Sequence, residues 1–142
     1  DLKEKEILFS SHVSHGKNSG GNYATTFSNK YNSYMSSLGF YLTEGTYQGK
    51  NGYSLILNGL EEGINDKAKQ RAIVIHGADY CNPTLASHAG RLGRSLGCPA
   101  LPREMCEPVI NTIKNGTLLF IYANDKDYLA KSSILPHGYT KS

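Results

Sequence analysis

The stretch "AIVIHGA", residues 72–78, decides the fold. It is a continuous apolar run rich in β-branched residues, and it lacks the alternation of polar and apolar positions that marks a half-exposed strand. Such a run is typical of a strand that is buried on both faces in the middle of a sheet. His76 lies at the C-terminal end of this predicted strand, directly before a glycine. The sequence therefore predicts a rigid central strand that carries an imidazole to its end.

Three further segments predict strands beside this one. "GYSLILNGL" (52–60) alternates in polarity between boundary glycines, which favours a strand over a helix. "GTLLFIYA" (116–123) has the continuous pattern of another buried strand, and the apolar residues of "EKEILFSSHVS" (4–14) predict a first strand. The chain is therefore expected to be rich in β-structure.

Two segments predict helices. "INDKAKQRA" (64–72) indicates a short helix in which Asn65 or Asp66 caps the first amides. "PREMCEPVINTIK" (102–114) places apolar residues on one helical face, and its first proline suits a helix start. Pro108 lies inside this pattern and is expected to limit or kink the first turn.

Composition and length narrow the class of protein. The 142 residues fit one domain, and no repeat or linker marks a boundary between domains. Residues 17–50 are expected to be a largely irregular region with short extended pieces, and the Lys- and Ser-rich tail after residue 123 to be peripheral. The net charge of +3 comes from scattered residues, which argues against nucleic-acid binding. The sequence contains no apolar run of 18 residues, so we expect no membrane span, and any export signal is expected to be absent or already removed.

The most informative residue for chemistry is Cys98, in "GRLGRSLGCPALP" (90–102). A thiol attacks as the thiolate, so a catalytic cysteine needs an imidazole, a positive charge or aligned amides nearby. Gly97 allows the tight turn that would leave the amides of Gly97 and Cys98 pointing at an oxyanion. Arg91 and Arg94 add positive charge that favours the thiolate and is suited to a substrate carboxylate.

Among the five histidines, His76 is the best candidate for the base. It closes a rigid strand, and the carbonyl of Gly77 is placed to accept the proton on the second ring nitrogen and so fix the tautomer. The alternatives from the residues alone are structural: a hydrogen-bonded core histidine, a packing cysteine and solvated arginines. Cys81 and Cys106 are expected to be packing residues.

Two further motifs favour no separate site. "HVSH" (12–15) lacks zinc-site spacing, because residues three apart on a strand point to opposite faces, so no metal and no cofactor is predicted. "HGKNSGG" (15–21) lacks the ending of a phosphate-binding loop and predicts a flexible turn or a pocket rim.

"IVIHG" followed by "SLGC" resembles the L,D-transpeptidase catalytic domain family of bacterial cell-wall enzymes, in the branch in which proline follows the cysteine. "GYSLILNGLEEGIND", "RAIVIHGADY" and "GRLGRSLGCPALP" extend the resemblance over most of the chain. It implies a mostly β fold with short helices, a β-sandwich or barrel. "SHG" at 14–16 is a false match, because Lys17 stands where the cysteine would be.

The resemblance also implies roles. Cys98 would be acylated by the third residue of a peptidoglycan stem tetrapeptide with release of D-Ala, His76 would be base and acid, and Gly77 would orient the ring. The amides of Leu96, Gly97 and Cys98 would form the oxyanion hole. A second stem peptide's amine would complete a 3→3 cross-link, and a carbapenem would form an adduct on Cys98.

This chain departs from the family's main branch at Leu96, where that branch usually has histidine, and after the cysteine, where Asn or Arg is often found. Arg91 or Arg94 is expected to replace the missing polar contact. The remaining substrate-binding candidates are Ser95, Tyr53 and His15.

The resemblance further implies an exported enzyme, periplasmic or associated with the cell wall, in which a disulfide between Cys81 and Cys106 is possible. Three rival functions stay open at this point. They are a hydrolase with the same Cys–His pair (an L,D-carboxypeptidase or a wall-linkage hydrolase), a non-catalytic wall-binding module, and a small cysteine protease acting on ordinary L-peptides.

Overall fold

A computed structural model gives the structure of residues 1–84, 90 and 92–136. In this part of the chain, five strands form one curled sheet that resembles half a barrel. The strands are β1 (Gly39–Gly49), β2 (Gly52–Gly59), β3 (Val74–Gly77), β4 (Ala100–Leu101) and β5 (Leu118–Ile121). A 3₁₀ turn covers Asp79–Cys81, and the α-helices are α1 (Arg103–Ile113) and α2 (Lys126–Lys131). The expected mostly β fold with few short helices is confirmed.

The order of strands in the sheet is β4-β3-β2-β1-β5. β1 pairs antiparallel with both β2 and β5, β2 pairs antiparallel with β3, and β3 pairs parallel with β4. All four residues of β3 are buried, as the run at 72–78 predicts. β2 also agrees with its prediction, since Leu55 and Leu57 are fully buried in the core.

The core lies between one face of the sheet and α1. Its buried members are Tyr41, Leu55, Leu57, Ala68, Ile73, Ile75, Leu101, Cys106 and Ile110. α1 begins after Pro102 as predicted, and it continues through Pro108 to Ile113, so Pro108 does not limit the helix to its first turn.

Two of the predicted elements are wrong in kind. Residues 4–13 form no strand and are exposed, because the described residues offer their backbone no neighbouring strand. Residues 64–72 form a series of turns and no helix, so Asn65 does not act as a helix cap. Its side chain accepts from the amide of Glu61 and donates to the carbonyls of Leu38 and Phe40, which ties it to the sheet.

The C-terminal part also differs from expectation. β5 is an edge strand in which Leu118 and Phe120 are exposed, so the prediction of a buried strand is wrong. A short apolar run has the same composition in an edge strand as in a central one, and only the neighbours distinguish them. The tail is not peripheral as far as it is described, because α2 buries Tyr128 and the hydroxyl of Tyr128 donates to the fully buried carboxylate of Glu61.

Candidate active site

The parallel pairing of β3 with β4 brings the loop that carries Cys98 beside the strand that carries His76. His76 is in register with Ala100, and its N–H donates to the carbonyl oxygen of Pro99 at 3.4 Å. Cys98 directly precedes this contact. The cysteine loop therefore runs alongside the strand that carries His76.

The thiol of Cys98 is held at the beginning of β3. Its Sγ accepts from the N–H of Val74 at 3.4 Å and donates to the carbonyl oxygen of Ala72 at 3.6 Å. Ala72 has φ 55°, in the left-handed region that a residue with a Cβ adopts only at a cost of about 1–2 kcal/mol. Among the described residues, no hydrogen bond joins Cys98 to His76. The thiol of the predicted nucleophile therefore faces the main chain at the start of β3, two residues or more before the predicted base.

His76 is 4% exposed, and its Nδ1 lies 3.0 Å from the carbonyl oxygen of Gly77. If Gly77 accepts, Nδ1 carries the proton and Nε2 is left as the basic nitrogen. Gly77 is itself confined, since a Cβ there would come within 3.0 Å of the Cβ of Cys106 on α1. A side chain at this position would displace the carbonyl from the ring.

The loop before the cysteine is organised by Ser95. This residue is buried, and its Oγ accepts from the N–H of Gly97 at 3.1 Å and donates to the carbonyl oxygen of Cys98. The amides of Leu96 and Cys98 have no partner within the described part of the chain. Ser95 therefore shapes the turn from inside, and Gly97 is the one amide of the predicted oxyanion hole that is already occupied.

The segment that begins at Ser14 forms one wall of the site. Ser14 bridges Ala100 and Gly16 bridges Ser95, which places this segment directly beside the cysteine loop. A Cβ on Gly16 would lie 3.0 Å from the Cα of Gly97. The glycine-rich segment was expected to be a flexible turn or a pocket rim, and this packing gives it the second position.

The predicted substrate-binding residues are divided between two cavities. His15 and Arg94 line one of about 250 Å³, in which the Nη1 of Arg94 donates to the carbonyls of Lys17 and Gly20. Tyr53 lines another of about 230 Å³ together with Gly77, and its hydroxyl donates to Asn111 at 2.7 Å. Arg91 lies outside the described residues.

Arg71 is a residue of this site that sequence reasoning missed. Among the described residues, it is the charged group that most favours the Cys98 thiolate, ahead of Lys50. Its one sequence signal is its place directly before the strand run, and that signal does not separate it from a surface arginine. Burial nevertheless raises the pKa of the Cys98 thiol, and the Val74 N–H, Arg71 and Lys50 oppose this effect in part.

All three cysteines are free thiols. The Sγ of Cys81 donates to the carbonyl oxygen of Ala100 at 3.1 Å, and the Sγ of Cys106 donates to the carbonyl oxygen of Tyr53 at 3.6 Å. The possible disulfide between Cys81 and Cys106 is therefore not formed, because each thiol is directed at a different carbonyl. Among the residues that the structure describes, no three His, Cys, Asp or Glu side chains form a cluster suited to a metal ion.

A mostly β domain with a cysteine loop beside a strand that ends in His-Gly defines the class of L,D-transpeptidase-like domains. The chain belongs to the L,D-transpeptidase catalytic domain family, whose model matches residues 1–122. This family acts on peptidoglycan. Searches of curated proteins and of solved structures return no match. None of the helices in residues 1–84, 90 and 92–136 has the length and apolar character to cross a bilayer.

Proposed function

We propose that this domain is a cysteine L,D-transpeptidase that forms 3→3 cross-links between peptidoglycan stem peptides. The observation that carries the proposal is the β3–β4 pairing, which sets Cys98 beside the strand of His76 and Gly77. The contact between Nδ1 of His76 and the carbonyl of Gly77 supports the assignment of the base, because it leaves Nε2 for proton transfer.

In the first step, the sulfur of Cys98 forms a bond to the carbonyl carbon of the third residue of a stem tetrapeptide. The C–N bond to the terminal D-Ala breaks. The thiol proton passes to His76 and then to the nitrogen of the departing amine. Free D-Ala leaves, and the acyl group remains on Cys98 as a thioester.

In the second step, the side-chain amine of another stem peptide attacks the thioester. The new amide bond forms as the C–S bond breaks, and the proton lost by the amine returns through His76 to the thiol. If water attacks instead, the product is a tripeptide, and the enzyme is an L,D-carboxypeptidase with the same acyl-enzyme. The nature of the acceptor therefore decides between the two reactions.

The thiol is expected to move before it reacts. In the structure it bonds to Ala72 and Val74, and its raised pKa means that it is protonated at neutral pH. Rotation about the Cα–Cβ bond of Cys98 would release these contacts and turn the sulfur towards the ring of His76. The reaction thus begins from a neutral thiol, with proton transfer coupled to attack.

The oxyanion is assigned to the amides of Leu96 and Cys98. Both lack a partner in the described part of the chain, while the amide of Gly97 is held by Ser95. Oxyanion-hole amides must be free to point at the developing charge. Gly97 would then contribute through the turn it permits and not through its own N–H.

The cavity of Arg94 and His15 is assigned to a polar part of the substrate, with Tyr53 on the other side of the strand end and Arg91 as a further candidate. The Nη1 of Arg94 donates to the loop carbonyls of Lys17 and Gly20, and the rest of its guanidinium is assigned to the substrate. An Arg94→Ala enzyme with unchanged kcat/KM would contradict this assignment. A carbapenem is expected to acylate Cys98, and the substrate places the enzyme outside the cytoplasm, in the periplasm or at the cell wall.

The test is intact-protein mass spectrometry after incubation with purified disaccharide-tetrapeptide, with the small products analysed in the same run. The intact protein is compared with Cys98→Ala, with His76→Ala, and with Cys81→Ala as a control thiol outside the proposed mechanism. We expect a thioester adduct and free D-Ala with the intact protein and with Cys81→Ala, and neither product with Cys98→Ala.

The products separate the functions. A cross-linked dimer establishes the transpeptidase, and tripeptide alone establishes the carboxypeptidase. A folded protein that gives neither adduct nor D-Ala would contradict the proposal and favour a wall-binding module.

A further inference from the structure

The guanidinium of Arg71 is a half-buried cation with neutral partners only. Its Nη1 donates to the carbonyl of Ser28 at 2.9 Å and to the Oγ of Ser37 at 2.7 Å. Its Nη2 donates to the Oγ of Ser33 at 3.1 Å and to the carbonyl of Met35 at 2.8 Å. The ion pairs within the described residues join other side chains, so this charge is not neutralised by a carboxylate there.

These four bonds fix the charge and limit what it can do. A guanidinium has five N–H donors, and Arg71 commits four of them to the chain between Ser28 and Ser37. It therefore cannot form a two-pronged contact with a substrate carboxylate without losing these bonds. Its position is set by its bonds to residues 28–37, and its charge acts electrostatically on the groups nearby without a direct hydrogen bond.

What lies next to it is the cysteine loop. A Cβ built on Gly97 would lie 3.3 Å from the Nη2 of Arg71 and 3.0 Å from the carbonyl oxygen of Met35. Arg71 and Leu96 also share a cleft of about 140 Å³ with Ile73. Arg71 and the carbonyl of Met35 that it bonds therefore lie close behind Gly97 and leave no room for a side chain there.

We propose that Arg71 is a positioning residue that clamps the cysteine loop against residues 28–37 and supplies the positive charge that stabilises the Cys98 thiolate. The catalytic part of this inference rests on the proposed function. The sequence assigned this charge to the arginines that precede Cys98, whereas the structure assigns it to an arginine before β3.

The electrostatics around the thiol agree with this role. Arg71 and Lys50 lower the pKa of the Cys98 thiol against the larger effect of burial, and Cys98 in turn raises that of Tyr80, whose own burial has the larger effect. In the described part of the chain, Arg71, Lys50 and Tyr80 are the groups whose charge is coupled to that of the thiol, and His76 is the titratable residue of the strand beside the cysteine loop. Of these, Arg71 combines a positive charge with contact to the loop.

The experiment measures alkylation of Cys98 by iodoacetamide between pH 6 and pH 11, with peptide mapping to follow this cysteine separately from Cys81 and Cys106. Arg71→Gln should raise the pH midpoint by about one pH unit. Arg71→Lys keeps a positive charge, so its pH midpoint should lie close to that of the intact protein. Its melting temperature should stay below that of the intact protein, because a lysine cannot replace the four hydrogen bonds of Arg71. Lys69→Gln removes the same charge two residues away and should leave the midpoint unchanged.

An unchanged midpoint in folded Arg71→Gln would overturn the electrostatic role. If Arg71→Gln does not fold, the intact protein is titrated at low and at high salt: a midpoint that rises with salt supports a nearby positive charge, and one that does not move overturns it. Because alkylation needs no peptidoglycan, a shifted midpoint in a protein that forms no acyl-enzyme would refute the proposed function while retaining the role of Arg71.

Discussion

The main-chain N–H of Val74 donates to the Sγ of Cys98 at 3.4 Å, so the first residue of β3 holds the thiol of the cysteine loop. The same sulfur donates to the carbonyl of Ala72, which lies two residues before the start of β3. A cysteine held in this way is a half-buried, protonated thiol until it turns away from the strand.

Ala72 is expected to be strained, because its φ of 55° lies in the left-handed region. Ala72→Gly should remove about 1–2 kcal/mol of strain and add about 1 kcal/mol of backbone entropy cost, for a net gain of up to about 1 kcal/mol in the free energy of unfolding. Urea denaturation measures this. Ala68→Gly, at a fully buried alanine without positive φ, should instead destabilise the protein. Equal losses in both variants would mean that Ala72 is unstrained.

Gly97 is restricted both by its φ of 128° and by its neighbours. Gly97→Ala places a methyl group 3.0 Å from the carbonyl oxygen of Met35, and we expect a loss of about 1–3 kcal/mol of stability. Acyl-enzyme formation should fall with it, because the turn before Cys98 must shift. Gly63→Ala has a positive φ without close neighbours, so it isolates the backbone cost and should lose about 1 kcal/mol with acylation retained.

Glu61 is a fully buried carboxylate that joins β1 to the C-terminal helix. It accepts from the N–H of Phe40, the hydroxyl of Tyr128 and the hydroxyl of Ser132. Glu61→Gln replaces an acceptor by an amide that faces these donors, and it should lower the free energy of unfolding by about 2 kcal/mol in urea denaturation. Glu62→Gln, at the exposed neighbouring position, should change it by less than about 0.5 kcal/mol. A similar small effect at both positions would contradict the role of the buried carboxylate.

The stability of the fold should fall at alkaline pH. Burial raises the pKa of the Cys98 and Cys106 thiols above 9.0, and burial raises that of Tyr80 and Tyr128 from 10.0 to about 12. The folded state therefore binds these protons more tightly than the unfolded state. Their stabilisation is fully present below the ordinary values of 9.0 and 10.0, and it is lost as the pH rises towards 12.

Urea midpoints measured from pH 8 to pH 12 check this pH dependence. Tyr128→Phe removes one of the responsible protons and should make the alkaline decline shallower, whereas Tyr23→Phe, at a tyrosine that is 82% exposed, should leave the slope unchanged. Identical slopes in all three proteins would contradict the contribution of Tyr128.

Several elements could be read from the sequence because their signals are local. β3 follows from a continuous apolar run, β2 from an alternating one, and α1 from an apolar face that starts after a proline. The elements that were predicted wrongly depend on distant partners. Residues 64–72 have helical composition, yet they form turns, and the side chain of Asn65 bonds to Phe40 in β1, to Leu38 before it and to Glu61 after β2.

The sequence by itself determined the family, the mostly β fold and the candidate pair Cys98 and His76, because a motif and a strand pattern are properties of neighbouring residues. Only the tertiary structure decided what surrounds the thiol. In the folded chain, the carbonyl of Ala72, the amide of Val74 and the charge of Arg71 lie close to Cys98. Arg94 instead donates to carbonyls of another loop. The physical reason is that hydrogen bonds and charges act across a few ångströms of space, and the pairing of β3 with β4 sets which residues of the chain share that space.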